Sequence, residues 1–177
     1  TQLHFIVEQW KAAAEADPSL ADRQPYRAAV TGDLGWLGAA VDKHYAGDDT
    51  KMRTLGAGLL AAFADIDVDH FAIQAEAFLR GATHPTLGRG YLQTMYTPMV
   101  ELLRYLEAHG FTSYIVSGGG RDFMRPVSDE LYGIPSERVI ASSTALSYVA
   151  DEEGGRIVRQ AAAGVLDDGP EKPVQIW

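Results

Sequence analysis

The chain has 177 residues, of which 46% are hydrophobic and 22% are charged, and its formal net charge at pH 7 is -9. This length and composition are typical of a globular protein with one ordinary domain, or with a small domain and a helical addition. The negative charge argues against nucleic acid or an anionic membrane as a partner, because both would repel the chain.

Cysteine usage and the N-terminal residues bear on the cellular compartment. The sequence contains no cysteine, which excludes disulfides and thiolate metal ligands and makes the reducing cytoplasm the expected location. No apolar run approaches the roughly 20 residues that span a bilayer. The N-terminus, TQLHFIVEQW, has Glu8 and Trp10 where a signal peptide has an uninterrupted apolar core.

The first half of the chain has the periodicity of amphipathic helices. Apolar residues recur at helical spacing in four segments, which predicts helices over residues 3–16, 26–47, 48–64 and 67–82. Glycines weaken the second of these predictions, and they indicate either close packing or a bend. Asp48 or Asp49 and then Asp67 are suitable caps for the third and fourth helices. The segment THPTLGRG then indicates a loop, so we predict a helical module over residues 1–88.

The second half, residues 89–177, changes to alternating helices and strands. YTPMVELLRYLEAHGF predicts a helix, TSYIV a strand that leads into Ser117, RDFMRPVSDELYGI a helix with a break near Pro126, and RVIASS a second strand. ALSYVADEEGGRIVRQA is typical of a β-hairpin, and LDDGPEKPVQIW of a turn that opens a helix. The order helix, strand, helix, strand predicts an α/β fold with a parallel sheet and flanking helices.

The stretch SGGG, residues 117–120, is the first candidate for chemistry. It follows a predicted strand and precedes a predicted helix, and ligands of open α/β sheets bind beyond the carboxyl ends of the strands. Gly118 and Gly119 allow the backbone to approach a ligand closely, the helix start offers free N–H groups, and the Ser117 hydroxyl adds a donor. This predicts a phosphate-binding turn. The alternative is that the glycines only turn the chain and Ser117 caps the helix.

Lys172, in the segment LDDGPEKPVQIW, is the second candidate. A lysine one turn into a helix can direct its ammonium group at an anion held by a neighbouring loop, although most single lysines are surface residues. Asp167 and Asp168 precede it; they could serve as metal ligands, but a solvated turn before the helix is the simpler interpretation. No pair of histidines has the spacing of a helical zinc site.

Together, YTPMVELLRYLEAHGFTSYIVSGGGRDFMR and the later DDGPEKP resemble the haloacid dehalogenase (HAD) superfamily, and most closely its phosphoserine-phosphatase-like phosphohydrolases. The resemblance implies that Ser117 and the adjacent Gly118 bind the transferring phosphoryl group, and that Lys172 neutralises the phosphate and the nucleophile. It further implies a partial Rossmann-like core over residues 89–177, with residues 1–88 as an α-helical cap. The expected substrate is a small phosphorylated metabolite.

Two motifs of that family are not found in the sequence. The family nucleophile is an aspartate in a D-x-D loop after the first core strand, which forms an aspartyl-phosphate, and a later acidic motif completes a Mg²⁺ site. We expect both to lie outside this chain, which would then be a fragment or a truncated form with little activity of its own. No metal ligand is assigned here, and Mg²⁺ is expected only in the complete family member.

The stretch DIDVD offers Asp65, Asp67 and Asp69 at the spacing of paired catalytic aspartates. The residues before it are helical in pattern, however, and no glycine and threonine follow Asp67. We therefore expect Asp67 to cap the next helix, with the carboxylates placed favourably for the helix dipole.

Loss of the first core strand would leave the TSYIV strand with an unpaired edge, and such edges associate with other chains. The sequence thus predicts a homodimer or association with missing flanking segments of the same protein. Two functions remain open: a phosphate-monoester hydrolase of the HAD superfamily in its complete form, and a non-catalytic module that binds an anion or self-associates. A third, weaker possibility, a nucleotide-binding domain, lacks the G-x-G-x-x-G fingerprint.

Overall fold

A computed structural model of the chain describes residues 1–152 and 154–177, so Glu153, in the predicted hairpin turn, lies outside the described residues. Within these ranges the protein is mixed α/β, and no helix there is long and apolar enough to cross a membrane. The helices are α1 (Gln2–Ala16), α2 (Tyr26–Thr31), α3 (Leu34–Tyr45), α4 (Thr50–Ala62), α5 (Val68–Gly81), α6 (Thr97–Ala108), α7 (Arg121–Tyr132) and α8 (Glu171–Ile176). The strands are β1 (Ile115–Gly120), β2 (Val139–Asp151) and β3 (Gly154–Val165).

The chain divides into two compact units, one formed by residues 2–65 with 160–162 and the other by residue 1 with 66–159 and 163–177. In the first unit, which we call the helical unit, α1 packs against α2 and α4, and α3 packs against α4. Trp10 is completely buried there and its indole Nε1 donates a hydrogen bond to the carbonyl oxygen of Gly58 at 3.0 Å. Phe5 stacks on Phe63 in the same core.

The segment predicted as a helix over residues 26–47 is two helices, so a continuous helix is wrong there, and Gly32 marks the bend that was the alternative interpretation of its glycines. Gly32 ends α2 in the left-handed conformation, with φ of 69°, which glycine adopts without steric cost. Asp33 then begins α3, because its carboxylate accepts a hydrogen bond from the backbone N–H of Trp36 at 3.0 Å. A C-terminal cap and an N-terminal cap in adjacent positions therefore separate the helices.

The second unit, which we call the sheet unit, contains all of the described strands except residues 160–162 of β3. The strand order is β1-β2-β3, with β1 parallel to β2 and β2 antiparallel to β3. The α/β class and the hairpin are confirmed, whereas the predicted parallel sheet is only a parallel pair. A three-stranded mixed sheet is not a full Rossmann core, because the β2–β3 hairpin supplies the third strand where a helical crossover would supply a parallel one.

Helix α7 lies against the sheet and positions the residues that follow β1. It packs on α5, β1 and β2, and it buries Phe123 and Val127. The predicted break near Pro126 is wrong, because α7 continues from Arg121 to Tyr132 with the proline inside it. The missing proline N–H removes one i→i−4 hydrogen bond near the start of the helix, and burial of the flanking apolar residues compensates for that loss.

The predicted cap of α5 is confirmed. The carboxylate of Asp67 accepts a hydrogen bond from the backbone N–H of His70 at 2.7 Å, and Asp67 itself has extended backbone geometry. We expect Asp67→Ala to destabilise the protein by about 1 kcal/mol, the usual contribution of an N-terminal cap, and Asp67→Asn to cost little because asparagine caps equally well. Urea denaturation of both variants checks this, and equal losses from Ala and Asn would contradict the capping role.

Candidate functional site

The Ser117–Gly120 stretch lies at the carboxyl end of β1, where the parallel pairing becomes irregular. Ser117 pairs with Ala141, but the next pair is Gly120 with Ser142, so Gly118 and Gly119 bulge out of the ladder. The strand continues to Gly120, which corrects the prediction that it ends at Ser117. The bulge still gives the backbone the close approach that was expected of a turn, since neither bulged residue carries a Cβ.

The Ser117 hydroxyl is held at this bulge by the chain itself. Its Oγ accepts a hydrogen bond from the backbone N–H of Gly119 at 3.1 Å. Within residues 1–152 and 154–177 the hydroxyl proton has no acceptor. Ser117 is half-buried and Gly118 is exposed. The bulge therefore presents an oriented O–H donor beside exposed backbone.

The segment that precedes α8 packs directly on the bulge. A Cβ built on Gly118 would lie 3.6 Å from the carbonyl oxygen of Asp167 and 3.7 Å from Oδ1 of Asp168. These are ordinary contact distances, so the two segments touch without leaving a gap. Sequence positions 50 residues apart are thus brought to one edge of the sheet.

Ser142 joins the two segments, and sequence reasoning missed it. Its hydroxyl donates to the carbonyl oxygen of Gly118 at 2.9 Å and accepts from the backbone N–H of Asp167 at 2.9 Å. The sequence did offer a way to find it, because Ser142 lies near the end of the predicted strand RVIASS. Neighbouring parallel strands end at the same edge of a sheet, so Ser142 is expected near Ser117. Ser142 fixes the position of the loop that leads to Lys172.

Lys172 lies in the first turn of α8, a short helix that packs against β1. The side chain is half-buried and forms no ion pair with any residue of the described ranges. The ammonium groups of Lys11 and Lys43, by contrast, lie 2.9 Å and 3.4 Å from a carboxylate. The structure thus places the lysine-bearing segment against the serine-glycine bulge, and Lys172 forms no ion pair with the described residues there.

The two aspartates before α8 differ, and one corrects the sequence prediction. Asp168 is exposed, as expected for a solvated turn, but Asp167 is completely buried. Neither carboxylate oxygen of Asp167 has a hydrogen-bond partner among the residues that the structure describes. A buried carboxylate without donors is costly, and nothing in the pattern LDDGPEKP distinguishes the buried aspartate from the exposed one.

The grouping of acidic and histidine side chains bears on metal binding. Across the described ranges, no three acidic or histidine side chains are grouped so that they could hold a metal ion. In the DIDVD stretch, the Asp67 carboxylate is engaged in capping α5, and Asp65 adopts a left-handed backbone with φ of 61°.

The start of β1 borders an apolar cavity. Among the described strands β1 pairs with β2 alone, and Tyr114 beside it is more than half exposed. A cavity of about 430 Å³ is lined by Tyr114 and Ile115 and by mainly apolar side chains of α6, α7 and the residues around Tyr91. Burial raises the pKa of the Tyr91 phenol. Self-association through the β1 edge remains a prediction.

Comparison with known proteins adds no family to these observations. No protein-family model matches the chain, and no curated protein is significantly similar to it. The function must therefore be argued from the site itself.

Proposed function

We propose that the serine-glycine bulge and Lys172 bind the phosphoryl group of a small phosphorylated metabolite, and that the complete protein is a phosphate-monoester hydrolase of the HAD type. The observation that carries the proposal is the packing of the Asp167–Lys172 segment on Gly118. It brings the Ser117 hydroxyl, the glycine backbone and the segment that carries Lys172 to the same edge of the parallel pair.

Each group has a distinct task in this proposal. In the proposal, the Ser117 hydroxyl donates a hydrogen bond to a phosphoryl oxygen. The backbone N–H of Gly119 donates to Ser117 Oγ in the structure and can donate to the ligand instead. Lys172 supplies positive charge without first breaking an ion pair. Donors and charge that are already in place stabilise a transferring phosphoryl group because little reorganisation is needed during reaction.

The resemblance implies that an aspartate nucleophile and Mg²⁺ complete the reaction centre. Asp67 does not fill the place of the nucleophile, because its carboxylate already accepts a hydrogen bond within the α5 cap. In our proposal the described residues bind and orient the phosphoryl group, while covalent chemistry belongs to the complete family member. This chain is therefore expected to bind phosphate esters and to hydrolyse them slowly or not at all.

The test is binding of phenyl phosphate, followed by NMR of the backbone amides of Gly118 and Gly119. Ser117→Ala and Lys172→Met should each weaken binding by roughly 10-fold to 100-fold, the value of a charge-assisted hydrogen bond of about 1.5–3 kcal/mol. Ser136→Ala, at an exposed serine, and Lys43→Met, at an exposed ion pair, are the controls. If the glycine amides do not respond to the ligand, or all four variants bind alike, the proposal fails.

A non-catalytic anion-binding module is the second candidate, and the engagement of Asp67 as a helix cap favours it. Turnover of 4-nitrophenyl phosphate, measured with Mg²⁺ and with chelator, shows whether this chain has hydrolase activity of its own. Binding without turnover fits either a module or a chain that needs its missing carboxylates. Mg²⁺-dependent turnover that disappears in Asp67→Asn would instead show that DIDVD carries the nucleophile.

A further inference from the structure

A cluster of three arginines surrounds one aspartate at the start of α7, directly after the serine-glycine bulge. We call it the arginine cluster; its members are Arg121, Asp122, Arg125 and Arg159. Nη1 of Arg159 pairs closely with Oδ2 of Asp122, and Nε of Arg121 lies 2.9 Å from Oδ1 of the same carboxylate. Arg159 comes from β3, and its guanidinium group lies 3.9 Å from the centre of the Phe71 ring.

The cluster carries more positive than negative charge. Both oxygens of Asp122 are used by Arg121 and Arg159, and Arg125 forms no ion pair with a described residue. The charge of Arg121 lowers the pKa of Arg125 and of Arg159, although burial lowers each of them more. Arg121 is therefore close enough to Arg125 and to Arg159 to repel each of them, and the two carboxylates that interact with these arginines, Asp122 and Glu137, leave one positive charge in excess.

Two of the donors in the cluster have no acceptor. Nε of Arg125 and Nε of Arg159 are both buried, and neither has a hydrogen-bond partner in the part of the chain that the structure describes. Arg159 as a whole is 6% exposed. Buried N–H donors are nearly always paired in folded proteins, so surplus charge and unpaired donors both indicate a missing acceptor.

The cluster is close to the proposed phosphoryl site. Arg121 follows Gly119 by two positions, so their Cα atoms are at most about 7 Å apart. Arg121 and Arg125 are half-buried residues, so neither side chain is fully enclosed by the protein. Planar guanidinium groups match carboxylates and phosphates in shape and can donate two parallel hydrogen bonds to either.

We propose that the arginine cluster binds a second anionic group of the same substrate, a carboxylate or a second phosphate, while the bulge holds the phosphoryl group. This inference rests on the proposed function and narrows the substrate class to small metabolites with two anionic groups a few bonds apart. Such a group would provide the acceptor that the unpaired arginine donors lack.

The test compares two pairs of ligands that differ only in the second anionic group. Ethyl phosphate is compared with 2-phosphoglycolate, and glycerol 3-phosphate with 3-phosphoglycerate. NMR reports the two regions separately: the amides of Gly118 and Gly119 follow the phosphoryl site, and the Nε–H signals of Arg121, Arg125 and Arg159 follow the cluster. We expect at least one carboxylate ligand to bind at least about 10-fold more tightly than its counterpart without the carboxylate. The same ligand should shift the arginine signals.

Variants at Arg121 and Arg125 show whether these side chains cause the preference for the carboxylate ligand. Arg121→Gln and Arg125→Gln should each remove most of the preference for the carboxylate ligand, and they leave the buried Arg159–Asp122 pair in place. Arg104→Gln, at an exposed arginine of α6, is the matched control and should keep the preference.

The outcomes separate the two proposals. Glycine shifts with all four ligands, equal affinities within each pair and unchanged arginine signals would overturn the second anionic site and leave the phosphoryl site standing. If the glycine amides do not respond while the arginine signals do, the cluster binds anions independently and the proposed function fails. If neither region responds, both proposals fail.

Discussion

Asp122→Asn is expected to destabilise the sheet unit by about 3–5 kcal/mol, the usual cost of removing one partner of a buried ion pair. The Asp122 and Arg159 side chains are 12% and 8% exposed, so water cannot replace the lost carboxylate. The substitution leaves Arg121, Arg125 and Arg159 with no shared counter-charge, and asparagine offers a single neutral acceptor. Amide hydrogen exchange in α7 and β2 measures the free energy of opening in this unit.

Two controls show whether the loss comes from an uncompensated charge. Glu130→Gln breaks the exposed ion pair with Arg80, at 2.6 Å, and should change exchange little because solvent screens that pair. The double variant Asp122→Leu/Arg159→Met replaces the buried pair by apolar side chains and should recover much of the lost stability. If hydrogen exchange is faster in the double variant than in Asp122→Asn, the stability comes from the ion pair itself. The loss in Asp122→Asn would then not be explained by an uncompensated arginine charge.

Much of the local structure could be predicted, because it depends on short stretches of sequence. The cap at Asp67, the α5 and α6 helices and the hairpin after Ser143 follow from residue type and periodicity. The errors lie where tertiary contacts override local preference. Pro126 does not break α7, since the helix is held by buried apolar residues on either side of the proline.

The candidate site could be predicted only in outline. Ser117 and Lys172 are identified by their positions after a strand and at the start of a helix, and the structure does bring their segments together. Ser142, Arg159 and the burial of Asp167 depend on which chain segments meet at the edge of the sheet. Arg159 illustrates the limit, because an arginine in a strand pattern is ordinarily a solvated residue, and only the approach of α7 buries it beside Asp122.

Asp167→Asn, the same chemical change as at Asp122, is expected to have the opposite effect and to stabilise the sheet unit by about 1–3 kcal/mol. Asp167 is completely buried, and neither of its carboxylate oxygens has a hydrogen-bond partner in the described ranges. Removing an unpaired buried charge relieves a desolvation cost of several kcal/mol, and the neutral amide that replaces it costs less to bury. Hydrogen exchange in β1 and β2 measures the gain.

Asp168→Asn, at the exposed neighbour, is the control and should leave exchange unchanged. A stabilised Asp167→Asn variant would mean that the chain keeps a carboxylate at this edge against its own stability, which is typical of groups retained for binding or catalysis. A destabilised variant would mean that Asp167 has a partner beyond the described residues, and that the Asp167–Lys172 segment depends on this partner to hold its position against Gly118. The sign of this one change therefore decides whether the loop beside the proposed phosphoryl site is held in place by the described residues alone.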